Sequence, residues 1–146
     1  MTKLFVRTAA AFENRHELIE HIGKEMLIHG VVHDTYPQAL RERESVFPTG
    51  IMLDKIAIAI PHCDAIHAKQ SALYVIRTVN PVLFAQADDD NEIEISLIIA
   101  LIVENPNEQL KLLRRLFGEL QKQEIQEEIL VIPDDELEAY FRKHFL

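Results

Sequence analysis

Cysteine is nearly missing from the sequence: Cys63 stands alone, so no internal disulfide can form and nothing suggests a secreted, disulfide-stapled scaffold. A reducing compartment is the simpler expectation. Glycine and proline are sparse, at 4 and 6 of 146 residues, too few for a flexible linker, and there is no internal repeat or low-complexity tract. Basic residues are short as well, with 15 Lys and Arg against 24 Asp and Glu and a formal charge of -9. A chain that acidic is repelled by phosphate backbones, which argues against non-specific nucleic-acid or anionic-membrane binding. The longest nearly apolar run, Ile95 to Val103, is far short of the ~20 residues of a spanning helix. The opening Met1-Thr2-Lys3-Leu4-Phe5-Val6-Arg7 lacks the apolar stretch of a signal peptide. The expectation is a soluble, cytoplasmic protein.

What is present is an ordinary globular composition, 48% apolar and 27% charged, in a chain whose length suits one domain spanning 1–146. Leu18, Ile22 and Met26 recur four apart with Glu17, Glu20 and Lys24 between them, which predicts a first helix ending near Gly30. Thr35-x-x-Gln38 reads as a capping box opening a second helix that stops before Pro48-Thr49-Gly50. Ile56 to Ile60, Ala72 to Val79 and Ile93 to Val103 then read as strands, the last apolar enough to be central, with Val82-Leu83-Phe84 as a short edge strand. Leu110, Leu113, Phe117 and Leu120 form the apolar stripe of a third helix, with Lys111, Arg114 and Glu119 turned outward. Ile125 to Ile129 starts a fourth helix, and Pro133-Asp134 opens a last one using Leu137 and Phe141. Helices on both sides of a group of strands predict an α/β sandwich, three-layer-like, with a mixed parallel and antiparallel sheet flanked by helices.

Of the seven histidines, His16, His21, His29 and His33 fall in or beside the polar face of the first helix, and His144 lies near a helix C-terminus that favours a cation. His62 differs, because it leaves an apolar strand directly through Pro61, at the strand end where ligand sites of α/β sheets gather. Three chemistries fit its surroundings. His62, Cys63, Asp64 and His67 are residue types zinc accepts, but no second Cys/His pair stands at a recognised spacing. Cys63 could be a nucleophile activated by His62 or His67 if its surroundings stabilise a thiolate. Alternatively, a neutral imidazole nitrogen of His62 attacks phosphorus while its other nitrogen donates to a fixed acceptor; cationic or polar donors then hold the phosphoryl oxygens. The acidic run Asp88-Asp89-Asp90-Asn91-Glu92 is no EF-hand, since Ile93 falls at the glycine position and Ile99 at that of the bidentate glutamate.

Arg43-Glu44, Pro48-Thr49-Gly50, Ile56 to Ile60, Pro61-His62 and Glu104-Asn105-Pro106-Asn107-Glu108-Gln109-Leu110, in that order and spacing, resemble the mannitol/fructose-type enzyme IIA domains of the bacterial phosphoenolpyruvate-dependent sugar phosphotransferase system. The resemblance spans most of the chain. Within that family Gly30-Val31-Val32-His33-Asp34-Thr35, Ile60-Pro61-His62-Cys63, Gln86-Ala87-Asp88-Asp89-Asp90-Asn91 and Leu110-Lys111-Leu112-Leu113-Arg114 are most similar to the galactitol-specific branch.

The resemblance implies the mannitol/fructose-type IIA fold and a phosphocarrier. Such a carrier takes a phosphoryl group from phospho-HPr onto Nε2 of His62 and passes it to a cysteine of a galactitol-type IIB protein, which serves the membrane-bound IIC transporter. It implies Arg43 as holder of phosphoryl oxygens, Glu44 as its orienting neighbour and Thr49 in a supporting place, with no metal or other cofactor. Many relatives carry a second histidine where this chain has Gln109; the amide can still donate to a phosphoryl oxygen, close to a helix N-terminus. The alternative is a free-standing regulatory domain of the same fold, signalling through His62 phosphorylation.

Overall fold

The computed structural model describes residues 2–146. Five strands form one sheet: β1 (Lys3–Ala10), β2 (Gly50–Met52), β3 (Ala57–Ala59), β4 (Ala72–Ala85) and β5 (Glu92–Ile102), in the order β1-β4-β5-β3-β2. β1 runs parallel to β4 and β3 parallel to β5, whereas β4–β5 and β2–β3 pair antiparallel. The sheet is therefore mixed, and the apolar run of β5 is central because both of its faces are covered.

Alternation along the strands feeds two cores. Tyr74, Ile76, Ile98, Ala100 and Ile102 face a layer made by α1 (Arg15–Ile28) and α2 (Tyr36–Val46), where Leu18, Ile22, Met26 and Leu40 are fully buried. Leu73, Val75, Leu97, Ile99 and Leu101 face α3 (Pro106–Leu120), α4 (Gln123–Glu128) and α5 (Leu137–Phe145), packed against Leu116, Leu120, Phe141 and Phe145. Burying such side chains on both faces removes each from water at a gain of about 1.5–3 kcal/mol, which is why a sheet with this pattern sits between helices. α1 begins at Asn14, whose side chain accepts from the Glu17 N–H at 2.9 Å, and ends before Gly30, which has φ +70°, the left-handed turn that glycine adopts without a Cβ clash.

Several sequence expectations are corrected. β1 lies in what reads as a short apolar start, and β2 is a three-residue strand directly after the Pro48-Thr49 turn; each is too brief or too mixed in polarity to give a period. Val82 to Phe84 is no separate edge strand, because β4 continues through it after a register shift between Arg77 and Val82 and remains paired to β5; the edges are β1 and β2. Thr35 does stand at the start of α2, but its side chain caps nothing. Thr35 itself has helical backbone, φ -77° and ψ -14°, instead of the extended conformation that aims a capping side chain at the third helical N–H, and its Oγ1 meets His67 Nδ1 at 2.8 Å. The stripe on α3 is rotated: Leu116 and Leu120 enter the core, Leu110 is 49% exposed, and Leu113 and Phe117 line a cleft.

Candidate functional site

β3 leaves the sheet through Ile60 and Pro61, and three bonds fix the segment from Pro61 to Cys63. The Leu101 N–H of β5 donates to the Pro61 carbonyl at 3.0 Å, His62 Nδ1 meets the Ile60 carbonyl at 2.8 Å, and Gln109 Nε2 donates to the Cys63 carbonyl at 3.1 Å. Farther on, the 3-10 turn Ala65–His67 is tied to the α1–α2 connection by the His33 N–H donating to the His67 carbonyl at 2.9 Å. A carbonyl oxygen can only accept, so Nδ1 of His62 carries the proton and the neutral ring keeps its lone pair on Nε2. Burial lowers the pKa of His62 from its usual value, and the Arg43 cation lowers it further, against the opposing pull of the Ile60 carbonyl and Asp64. Both effects favour the neutral form of the ring.

His62 opens on a cleft of about 340 Å³ walled by Arg43, Phe47, Thr49, Ile51, Leu113 and Phe117, among others. Arg43 sits at the last turn of α2 and also lines a neighbouring cleft with Cys63, Asp64 and His67. Its Nε is buried without a hydrogen-bond partner, and its guanidinium lies over the ring of Phe47, 4.9 Å from the centroid. Glu44 does not orient Arg43 as the resemblance implied. Its buried carboxylate accepts from the Thr49 N–H at 2.8 Å and from Thr49 Oγ1–H at 2.7 Å, locking the Phe47-Pro48-Thr49 turn. Burial raises the pKa of Glu44 while both Thr49 donors act to lower it. Gln109 is not among the residues walling the His62 cleft.

The competing chemistries meet different surroundings. The Cys63 thiol is buried, and burial together with Asp64 pushes its pKa up to about 12, so at neutral pH there is no thiolate to act as nucleophile. Among the described residues no group of three or more His, Cys, Asp or Glu is placed to hold a metal ion. His21 belongs to a separate cluster, its Nε2 2.7 Å from the Tyr74 hydroxyl, which also accepts from Arg7 Nε at 2.9 Å. Sequence reasoning missed Phe47, although an aromatic four residues after an arginine at a helix end is a recognisable pair.

Residues 1–143 match the family described as Phosphoenolpyruvate-dependent sugar phosphotransferase system, EIIA 2. The galactitol-specific EIIA component of the phosphotransferase system of Escherichia coli (strain K12) is 60% identical over 146 residues, covering 100% of this chain and 97% of that protein. The complex of the mannitol enzyme IIA with phosphorylated mannitol enzyme IIB from Escherichia coli matches with a TM-score of 0.72 at 20% identity, covering 97% of this chain and 94% of that one. The nitrogen regulatory protein IIA-Ntr from Neisseria meningitidis matches with a TM-score of 0.71 at 27% identity, covering 92% and 90%. The molecule is thus a phosphocarrier, a phosphotransferase component. It belongs to the EIIA 2 family of the phosphoenolpyruvate-dependent sugar phosphotransferase system.

Proposed function

We propose that residues 1–146 act as one cytoplasmic carrier domain that takes a phosphoryl group from phospho-HPr onto Nε2 of His62. The group then passes to a cysteine of a galactitol-type IIB protein, and IIC is served only through IIB. The observation that carries this reading is the pairing of His62 Nδ1 with the Ile60 carbonyl at 2.8 Å in a cleft shared with the unpartnered Nε of Arg43.

In the first transfer the P–N bond of the donor phosphohistidine breaks as the Nε2–P bond of His62 forms. In the second, Nε2–P breaks as the thiolate of the acceptor cysteine forms S–P. Throughout, Nδ1–H remains on the Ile60 carbonyl, so the ring neither rotates nor loses its tautomer. Arg43 supplies in-plane N–H donors to the phosphoryl oxygens, which stabilises charge where it gathers during in-line transfer. Thr49 and Glu44 keep the turn beneath Arg43 rigid. Gln109 acts by fixing the Cys63 carbonyl, not by reaching the phosphoryl group, and no metal or other cofactor enters the reaction.

Galactitol enters because the Escherichia coli protein that carries that name is 60% identical along the whole chain. A second reading, a free-standing regulator signalling through phospho-His62, draws on the 27% identity to a nitrogen regulatory protein; the higher identity favours transport. The test is intact mass after incubation with phosphoenolpyruvate, enzyme I and HPr, for the native protein and His62→Ala, followed by addition of a galactitol-type IIB. One acid-labile phosphoryl group on the native protein alone, lost on addition of IIB, is the expected result. A stable phosphoprotein that never loads IIB favours the regulator, and no gain of mass overturns both readings.

A further inference from the structure

We propose that Phe47 is a positioning residue for phosphoryl transfer: its exposed ring holds the Arg43 guanidinium over the His62 cleft while leaving the N–H donors of that guanidinium free. The inference rests on the carrier reading above and deepens it, since it concerns how the same site is kept ready for an anion.

An arginine placed to receive a phosphoryl group faces a conflict. It must be held in one geometry, yet a carboxylate that held it would occupy the donors the phosphoryl oxygens need. Among the described residues Arg43 has no acidic side chain within ion-pair distance, and its Nε is buried without a partner. What it does have is the face of Phe47, with the guanidinium carbon 4.9 Å from the ring centroid. A π face attracts the cation electrostatically and offers it no oxygen acceptor, whereas the five N–H groups point outward in the guanidinium's own plane. The contact with Phe47 therefore holds the group without placing a carboxylate on its donors.

Phe47 is itself over-determined, which a surface aromatic 60% exposed has no need to be for packing alone. Its N–H donates to the Arg43 carbonyl at 2.7 Å, so it grips the backbone and the side chain of the same arginine. Preceding Pro48, it is kept out of the helical region, with φ -125° and ψ 80°. Beyond the proline, Thr49 is clamped twice by Glu44. Behind that, Gly50 lies so close to β4 that a Cβ would stand 2.6 Å from the Ala85 carbonyl oxygen, so the backbone leaving the turn cannot shift toward β4.

The experiment compares Phe47→Leu, which keeps apolar bulk and removes the π face, with Phe47→Tyr, which keeps the ring. Steady-state transfer from phospho-HPr is measured alongside NMR relaxation of the Arg43 Nε–H group in the free protein and thermal melts of each variant. The expected result for Phe47→Leu is a kcat lowered about two- to five-fold, the factor an exposed cation–π contact is worth. KM and the melting temperature stay within error, and Arg43 Nε–H becomes more mobile. Phe47→Tyr restores both kcat and Arg43 order. An unchanged kcat and Arg43 mobility in Phe47→Leu, or a rise in KM alone that marks Phe47 as a mere docking residue, overturns the proposal. A native protein that accepts no phosphoryl group overturns the carrier reading together with it, whereas native acceptance with an unaffected Phe47→Leu overturns only this inference.

Discussion

At His62 the decisive quantity is which nitrogen keeps its lone pair. The bond from Nδ1 to Ile60 settles the tautomer, and burial beside Arg43 lowers the pKa. Phosphoryl acceptance should therefore persist as pH falls through 6.5, the value at which an unperturbed imidazole is half protonated, and decline only below it. A His62 titration midpoint at or above 6.5 by NMR would contradict this. The same shift bears on stability. The unfolded chain binds a proton at His62 more readily than the folded one, so this contribution is present above pH 6.5 and is lost as pH falls through the folded value. At Glu44 the prediction concerns the turn. Replacing Glu44 with Ala leaves the buried Thr49 N–H and hydroxyl unpaired and should cost about 1–3 kcal/mol in urea unfolding.

Among the elements, α3 separates packing from site lining. Leu116 is fully buried against the sheet, whereas Leu110 is 49% exposed. Leu116→Ala should cost about 2–5 kcal/mol and Leu110→Ala no more than about 0.5 kcal/mol, compared by denaturant midpoint. Equal costs would mean the helix is rotated from the orientation described. This is also where sequence pattern misled. Leu110, Leu113, Phe117 and Leu120 satisfy a helical period, yet period alone cannot say whether an apolar face meets the core or a cleft. The helix itself, the central strand and both flanking layers were legible because long apolar repeats leave few alternatives. β1 and β2 were not: three residues carry no period, and a strand alternating with Lys3 and Arg7 becomes one only when β4 lies alongside it. The capping box was misread because Thr35 adopts helical backbone and its hydroxyl is taken by His67, far along the chain.

For the whole molecule, a charge of -9 sets the long-range field in which a carrier meets its partners. Glu42 and Asp64 line the cleft next to the Arg43 site, where their charge acts at the rim of any docked partner. Reversing both to Lys should slow transfer from phospho-HPr on the order of tenfold at low salt and flatten its salt dependence, measured by stopped-flow at several ionic strengths. Rates unchanged at every ionic strength would rule out electrostatic steering of the encounter.

The sequence by itself determined the class of fold and set His62 apart, because hydrophobic period is a local property of the chain, while Arg43, Glu44, Thr49 and Gln109 were singled out by resemblance to the EIIA domains. It could also exclude a disulfide framework from a single cysteine. Only the tertiary structure decided what each of these residues does to its neighbours. Glu44 turned out to hold Thr49 and not Arg43, and Gln109 to hold the Cys63 carbonyl. Cys63 lies buried, where desolvation pushes its thiol pKa up, and Phe47 lies against the arginine. Donor geometry, burial and the local field depend on groups brought together from distant parts of the chain, and no spacing within the chain encodes them.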